Sequence, residues 1–332
     1  MLAKPHLFTQ ILVAFSLAVV GTVVLHSASL MAEEPATKTA NTLKVTPVRT
    51  DVTIDPGKSK IVKVTVTNPS SANVTVRPIQ NDFIAGDEDG TPALILEEDE
   101  YAPKHSLKRY LRPLENVEIP AKQSKTVEVL IKVPANADAG GYFGAIRFAP
   151  VSPDDGGQVN LSPSVASLIL MTVSGDVSEK LNLTEFEVLQ NGKSGSLFTN
   201  SNKMAATVRF ENPSDIQLAP FGKLSLTKGQ EVVYSADFNN STQRDMILPD
   251  SARRWTIPLD KIDGFGKYTV SGVFTYGSKN QTIEVSKSFW VIPVAFWIVA
   301  GVVLLLVAAA IISFIYSRRR SSRGMSLGSR RR

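Results

Sequence analysis

Ile61-Val-Lys-Val-Thr-Val-Thr-Asn-Pro-Ser70 puts Val62, Val64 and Val66 on one side of an extended chain and Lys63, Thr65 and Thr67 on the other. Alternation with period two is the pattern of a half-buried antiparallel strand. The Asn-Pro step then ends it, because proline presets φ and asparagine tolerates the bend. The same phrase recurs as Ala206-Thr-Val-Arg-Phe-Glu-Asn-Pro-Ser214. Val127 to Val133, Tyr142 to Phe148 and Leu224 to Thr227 alternate in the same way, separated by breaks such as Asp55-Pro-Gly57 and Lys228-Gly229. Nothing between 43 and 288 has the period of a long amphipathic helix.

Each copy of the phrase is followed by a glycine–tyrosine entry into a later strand, Gly140-Gly-Tyr142 in one and Gly266-Lys-Tyr268 in the other. Pro69 and Tyr142 are 73 residues apart, Pro213 and Tyr268 only 55. The surplus fits an insertion over 82–116. The expected fold is an all-β ectodomain of two tandem immunoglobulin-like β-sandwiches, 43–180 and 181–288, followed by a C-terminal transmembrane helix.

That helix is read over 291–316. Its apolar run, Ile292 to Tyr316, is long enough to cross a ~30 Å hydrocarbon layer at ~1.5 Å per residue. Phe289, Trp290, Trp297 and Tyr316 sit near its two ends, where aromatic rings suit the headgroup layer. A basic tail, 317–332, follows with Arg318, Arg319, Arg320, Arg323 and Arg330 to Arg332. Arginine flanks stay in the cytoplasm, so the sandwiches face outward. Residues 1–32 carry Lys4 and then the apolar run Ile11 to Leu25, the form of a secretory signal, and 33–42 reads as a linker.

The formal net charge of +5 misleads. Lys4 and seven tail arginines are 8 of the 36 basic residues, which leaves 28 against 31 acids and a net −3 for the exported body. A nucleic-acid partner needs a basic face on the folded part, and that is excluded. The chain has no cysteine and three histidines, of which only His105 lies in the body. A His/Cys zinc site and a cysteine nucleophile are therefore excluded, and no cofactor is expected. Absence of disulfides in exported sandwiches of this size favours a bacterial origin. A Ser-His-Asp triad would have to rest on His105, in Pro-Lys-His-Ser-Leu-Lys-Arg; a surface loop histidine is the competing reading.

Three segments qualify as candidate sites. Asp87, Glu88 and Asp89, between Gly86 and Gly90, offer the oxygen density that Ca²⁺ takes. They lack the register of an EF-hand, and a solvated loop is the competing reading. Tyr101, Lys104, Lys108, Arg109, Tyr110 and Arg112 could receive a glycan carboxylate or phosphate, since arginine forks grip such groups; the alternative is a charge-balanced surface. Gly140, Gly141 and Gly144 beside Tyr142 and Phe143 admit a close backbone approach, by the other sheet or by a ligand. Carboxylate pairs for glycoside hydrolysis cannot be placed in a cleft from the sequence.

Leu43-Lys-Val-Thr-Pro47, the run Ile54-Asp-Pro-Gly-Lys-Ser-Lys60 into Val62 to Pro69, and Val117-Glu-Ile-Pro120 through to Gly140-Gly-Tyr-Phe-Gly-Ala-Ile-Arg-Phe148 resemble the amino-terminal domain of the WxL-interacting protein family of Gram-positive surfaces. The layout of signal, two β-domains, one span and a basic tail is similar too. The resemblance implies a first domain that binds peptidoglycan and a second that binds a partner protein. The expected function is thus a non-enzymatic, single-pass surface protein that binds peptidoglycan or another cell-wall polymer, another surface protein, or both. The alternatives are a chaperone-like assembly accessory with an exposed β-edge and, more distantly, a cell-wall hydrolase.

Overall fold

The computed structural model describes residues 43–151 and 163–323. The expected signal (1–32), linker (33–42) and last residues of the basic tail (324–332) lie outside them. The first sandwich is built from β1 (Lys44–Thr46), β2 (Arg49–Ile54), β3 (Ser59–Thr67), β4 (Val74–Ala85), β5 (Pro92–Leu94), β6 (Val117–Ile119), β7 (Ser124–Lys132), β8 (Gly140–Pro150) and β9 (Val165–Val173). One sheet runs β1-β3-β7 and the other β2-β9-β8-β4, with β5 and β6 both on the far side of β4. The chain crosses from β1 in one sheet to β2 in the other at the cis Thr46–Pro47 bond.

The second sandwich repeats this plan. Its strands are β10 (Asn182–Gln190), β11 (Lys193–Ser194), β12 (Leu197–Phe198), β13 (Met204–Asn212), β14 (Phe221–Lys228), β15 (Glu231–Phe238), β16 (Ser251–Pro258), β17 (Gly266–Tyr276) and β18 (Gln281–Val291). The sheets are β11-β10-β13-β16 and β12-β18-β17-β14-β15. In each sandwich an early strand pairs in parallel with the last one, β2 with β9 and β12 with β18. All other pairings of the named strands are antiparallel, as the period-two patterning requires. The expected fold class is the one observed: two immunoglobulin-like sandwiches and a C-terminal apolar helix.

The phrase that marks the repeat has one structural job in both copies. Asn68 and Asn212 are buried to within 1 % of full cover. Each side-chain oxygen accepts the amide of the serine two residues on, at 3.0 Å from Ser70 and 3.1 Å from Ser214. Each side-chain nitrogen donates to the carbonyl four residues on, Ala72 at 2.7 Å and Ile216 at 2.8 Å. Each also donates to a distant loop, Ile119 at 3.1 Å and Ile247 at 3.0 Å. Asparagine is therefore more than a residue that tolerates a bend: its amide ties the turn that follows the strand to a distant segment of the backbone. The glycine–tyrosine entry is duplicated as well. The Tyr142 hydroxyl donates to Asp138 O at 2.9 Å and the Tyr268 hydroxyl to Asp263 O at 2.6 Å, the tyrosine corner of immunoglobulin-like sandwiches.

The first core gathers Val62, Val64, Val66, Val129, Ile131, Ile146 and Phe148, and the second Val208, Phe210, Phe238, Tyr268, Phe274 and Phe289. Phe289 belongs to that core, stacked on Tyr268 at 5.6 Å, and not to a headgroup belt. Strand β18 continues to Val291, so Trp290 and Val291 are part of the sandwich. Helix α1, Val294–Arg323, begins after only two more residues. Its segment Val294–Tyr316, 23 residues, is long and apolar enough to cross a membrane, and none of it is buried against the rest of the chain.

Replacing Asn212 by alanine would take the side-chain partner from the Ser214 amide and the Ile216 carbonyl, at about 1–3 kcal/mol per orphaned group, while the Ile247 carbonyl keeps the Leu218 amide. Asn212→Ala is expected to lower the urea midpoint followed by the fluorescence of Trp255 in the second core. Asn68→Ala should move the first sandwich's transition by a similar amount. An unchanged midpoint in both would show that the amides are not needed.

Candidate binding cleft at the junction of the two sandwiches

Strand β8 has two buried faces. Ile146 and Phe148 enter the first core, whereas Phe143 and Ala145, on the opposite face, join Phe83 of β4 and Leu170 of β9 in a separate apolar cluster. Met246 and Leu248, from the β15–β16 connection of the second sandwich, pack against it. The outer face of one sheet is thus the seat of the other sandwich. Phe143, a binding candidate from the sequence, is 2 % exposed and serves this seam. A void of about 80 Å³ remains between Phe83, Leu170, Met246 and Leu248, too small for a ligand.

Polar contacts close the seam around that cluster. Gly141 N donates to Asp215 O at 2.8 Å. Gly140 has a φ of +143°, and a Cβ there would lie 2.7 Å from Asp215 O, so the close approach that the glycine pair permits is by the second sandwich. Gln217 donates to Thr172 Oγ1 at 2.9 Å, and Arg49 Nη1 to Arg244 O at 2.8 Å.

Gly86 to Gly90 forms the strongest of these contacts. Glu88 accepts Arg209 Nε at 2.8 Å and Arg254 Nε at 3.0 Å, and its carbonyl accepts Arg254 N at 2.7 Å. Hydrogen bonds from Arg209 and then Arg254 hold the Glu88 carboxyl below its usual range. Gly90, at φ +88°, leaves room for the Arg253 guanidinium, 2.2 Å from where a Cβ would be. Asp87 and Asp89 cap the loop's own turn, Asp89 accepting Thr91 N at 2.8 Å. Asp89 is lowered to about 2, first by its hydrogen bond with the Asp87 carboxyl and then by Thr91. The three acids considered for calcium therefore face different partners, and among the described residues no group of three or more His, Asp or Glu is placed to hold a metal.

Beside the seam lies a cleft of about 470 Å³, lined by Lys104, His105, Arg109, Tyr110, Asp138, Tyr142 and Asp215. The insertion brings its basic residues here because Asp82, fully buried at the end of β4, accepts Ala102 N at 3.0 Å and Lys108 N at 2.9 Å. Tyr110 packs edge-on to Tyr142 at 5.0 Å. Burial first, and then the Tyr110 phenol, push the Tyr142 hydroxyl well above the usual tyrosine range. Lys104 already pairs with Asp250 of the second sandwich at 3.1 Å. Tyr101 lies under both Lys108 Nζ and the Arg109 guanidinium, each 4.7 Å from its ring centre, so it faces these cations and does not line the cleft. Lys108 also donates to the Glu98 and Glu100 carbonyls, and exposed Arg112 contributes its amide to Leu130 O.

His105 sits at φ +60° with Nδ1 donating to Gly141 O at 2.7 Å. Its Nε2 is buried without a hydrogen-bond partner, 4.0 Å from Asp215 Oδ1. A triad histidine would bond a carboxylate through Nδ1 and a hydroxyl through Nε2, and neither contact exists here. Lys104, Arg109 and Tyr110 from one candidate segment and Tyr142 from another meet at this cleft, joined by Asp138 and Asp215; these two acids, like Arg209 and Arg254 at the seam, are not among the candidates that the sequence offers. The legible signal was Phe143 and Ala145, apolar on the face of β8 that alternation assigns to solvent.

No family model and no curated protein matches the chain. Among solved structures it is similar to the class 5 fimbriae chaperone CfaA, at 12 % identity over 76 % of this chain and all of that one, with a TM-score of 0.37. The E. coli chaperone DraB gives 15 % identity over 76 % of this chain and 98 % of that one, TM-score 0.33. The Pseudomonas aeruginosa CupB2 chaperone gives 12 % over 74 % and 99 %, TM-score 0.32. These values are too low to carry a functional assignment.

Because the Glu88 carboxyl is lowered in the folded chain, its contribution is present above the ordinary carboxylate pKa of ~4.3 and is lost as pH falls through the folded value. Glu88 is 42 % exposed in its side chain, so solvent screening keeps the gain to about 1 kcal/mol or less. Glu88→Gln should lower the thermal midpoint slightly at pH 7, and that difference from the native chain should vanish in acid. A difference that persisted unchanged at pH 3 would contradict the assignment.

Proposed function

We propose that this chain is a non-enzymatic, single-pass membrane protein of the cell exterior that receives an extended segment of another surface protein on a free sheet edge. The observation that carries the reading is β15, which pairs with β14 on one side and, among the described residues, with no strand on the other. Its centre, Val232-Val-Tyr-Ser-Ala236, has no charge and no proline, the usual guards of an edge. Edges of that kind accept an added strand through main-chain hydrogen bonds. A register shift between Leu226 and Thr227 breaks the ladder only near the β14–β15 turn.

Three of the other edges are less open. The Glu88 carbonyl occupies the Arg254 amide on β16, and Arg112 N bonds Leu130 O on β7. Strand β18 carries Glu284 and Lys287, the latter bonded to Glu187 of the facing sheet at 2.9 Å. The arginines that follow Tyr316 support an outward-facing body, because such flanks stay in the cytoplasm.

A second reading, binding of peptidoglycan or another cell-wall polymer, is favoured by the cleft at the seam and accords with the WxL-interacting resemblance. Arg109 and Tyr110 line it as a sugar acid would require. Its two cations, Lys104 and Arg109, are however matched by Asp138 and Asp215, which leaves no surplus charge for an anion.

A photocrosslinking residue at Ser235, in the middle of β15, is expected to give a discrete protein adduct on intact cells, and one at Glu128 on β7 to give none. Equal labelling from the two positions would contradict edge recognition. Retention on purified cell walls that Arg109→Ala abolishes would favour the polymer instead.

A further inference from the structure

The base of the second sandwich carries apolar side chains that its core does not use. Register places the start of β17, the end of β18, the β14–β15 turn and the β16–β17 loop at one pole, since Gly266 pairs with Val291 and Lys228 with Tyr268. Here Phe265 is 50 % exposed, Trp290 43 % and Leu197 55 %. Phe265 stacks on Phe296 in the first turn of α1, with ring centres 5.3 Å apart and planes 20° from parallel, and lies 6.3 Å from Trp290. Phe296 in turn meets Trp297 edge-on at 6.0 Å.

The connection to the helix is stiff. Only Ile292 and Pro293 separate β18 from α1, and Ile292 N donates to Phe198 O of β12 at 2.8 Å. Proline just before the first turn fixes φ where no amide is needed. The aromatic cluster therefore extends sideways from the point where the apolar helix begins, at the depth of its first turn.

We infer that this pole is a membrane-contacting foot: Phe265, Trp290 and Leu197 enter the headgroup layer of the bilayer that α1 crosses. The inference rests on the proposed membrane span and adds a second, lateral contact with lipid. Continuity with the helix selects lipid as the occupant, because a patch joined to the first turn of a span by a stacked ring pair shares the depth of that turn. Amphipathic aromatic rings favour that layer. The charge of the pole is mixed, Lys203, Lys228, Lys261 and Lys267 against Glu231, Asp260 and Asp263, so the rings carry the argument. The consequence is orientation: the sandwiches stand at one angle to the surface, with the β15 edge rising from it.

The chain has no cysteine, so single labels are direct. Full-length Phe265→Cys, Lys279→Cys and Val303→Cys, each carrying an environment-sensitive fluorophore, would be reconstituted into phosphatidylcholine–phosphatidylglycerol vesicles with shallow or deep spin-labelled lipid. Lys279 lies in the turn at the opposite end of β17, about 33 Å away at ~3.3 Å per residue. Position 265 should be quenched by shallow label several-fold more than 279, and 303 by deep label. Equal quenching at 265 and 279, with 303 still quenched, would overturn the foot while leaving the span intact. Protection of 265 that dilution in lipid relieves would overturn it too, assigning the patch to a second copy. No quenching at 303 would sink the span and the foot together.

Discussion

Burial of the outer face of the β2-β9-β8-β4 sheet governs this molecule. Phe83, Phe143, Ala145 and Leu170 would form an exposed apolar patch if the first sandwich stood alone. Met246 and Leu248 cover it, and Glu88 reaches two guanidinium groups of the other sandwich at its margin. Each buried phenylalanine contributes roughly 1.5–3 kcal/mol, more than an exposed ion pair can supply. Apolar contact therefore provides the adhesion, and the charged clasp fixes where it sits.

The two sandwiches are similar units, and the seam lies where they differ. Both copies keep the buried asparagine and the tyrosine corner, so each satisfies its own turns in the same way. What distinguishes the first copy is the segment between β4 and β6. That segment supplies Glu88 to Arg209 and Arg254, Lys104 to Asp250, and His105 beside Asp215. Its extra residues are largely the coupling device between the sandwiches, and the cleft is a by-product of the space left beside it. Stiffness continues downward, since the last strand passes into the apolar helix with two residues between.

Strand content and sandwich class were legible because alternation reports a half-buried sheet directly. The repeat was legible through Asn68-Pro-Ser70 and Asn212-Pro-Ser214, although the amide's buried role depends on carbonyls 35 and 51 residues away that no local pattern reveals. The acidic loop shows the limit more sharply. Asp87, Glu88 and Asp89 look alike in the sequence, yet Glu88 finds its partners 121 and 166 residues on while its neighbours cap a turn. An aromatic residue beside glycine or beside a span fits binding or the membrane edge locally, which is what the sequence suggests for Phe143 and Phe289. Both are core residues, and only the tertiary partner decides that. Tyr142 combines the two cases: it lines the cleft, but its hydroxyl is committed to the corner.

Rigid docking of the two sandwiches is the claim on which the seam and the cleft beside it depend. It is tested most directly by the distance between spin labels at Lys60→Cys on β3 and Lys223→Cys on β14, measured by pulsed electron resonance on the full chain in lipid nanodiscs. One narrow distance distribution is the predicted result. A broad distribution, of the kind that two domains on a free hinge produce, would contradict it.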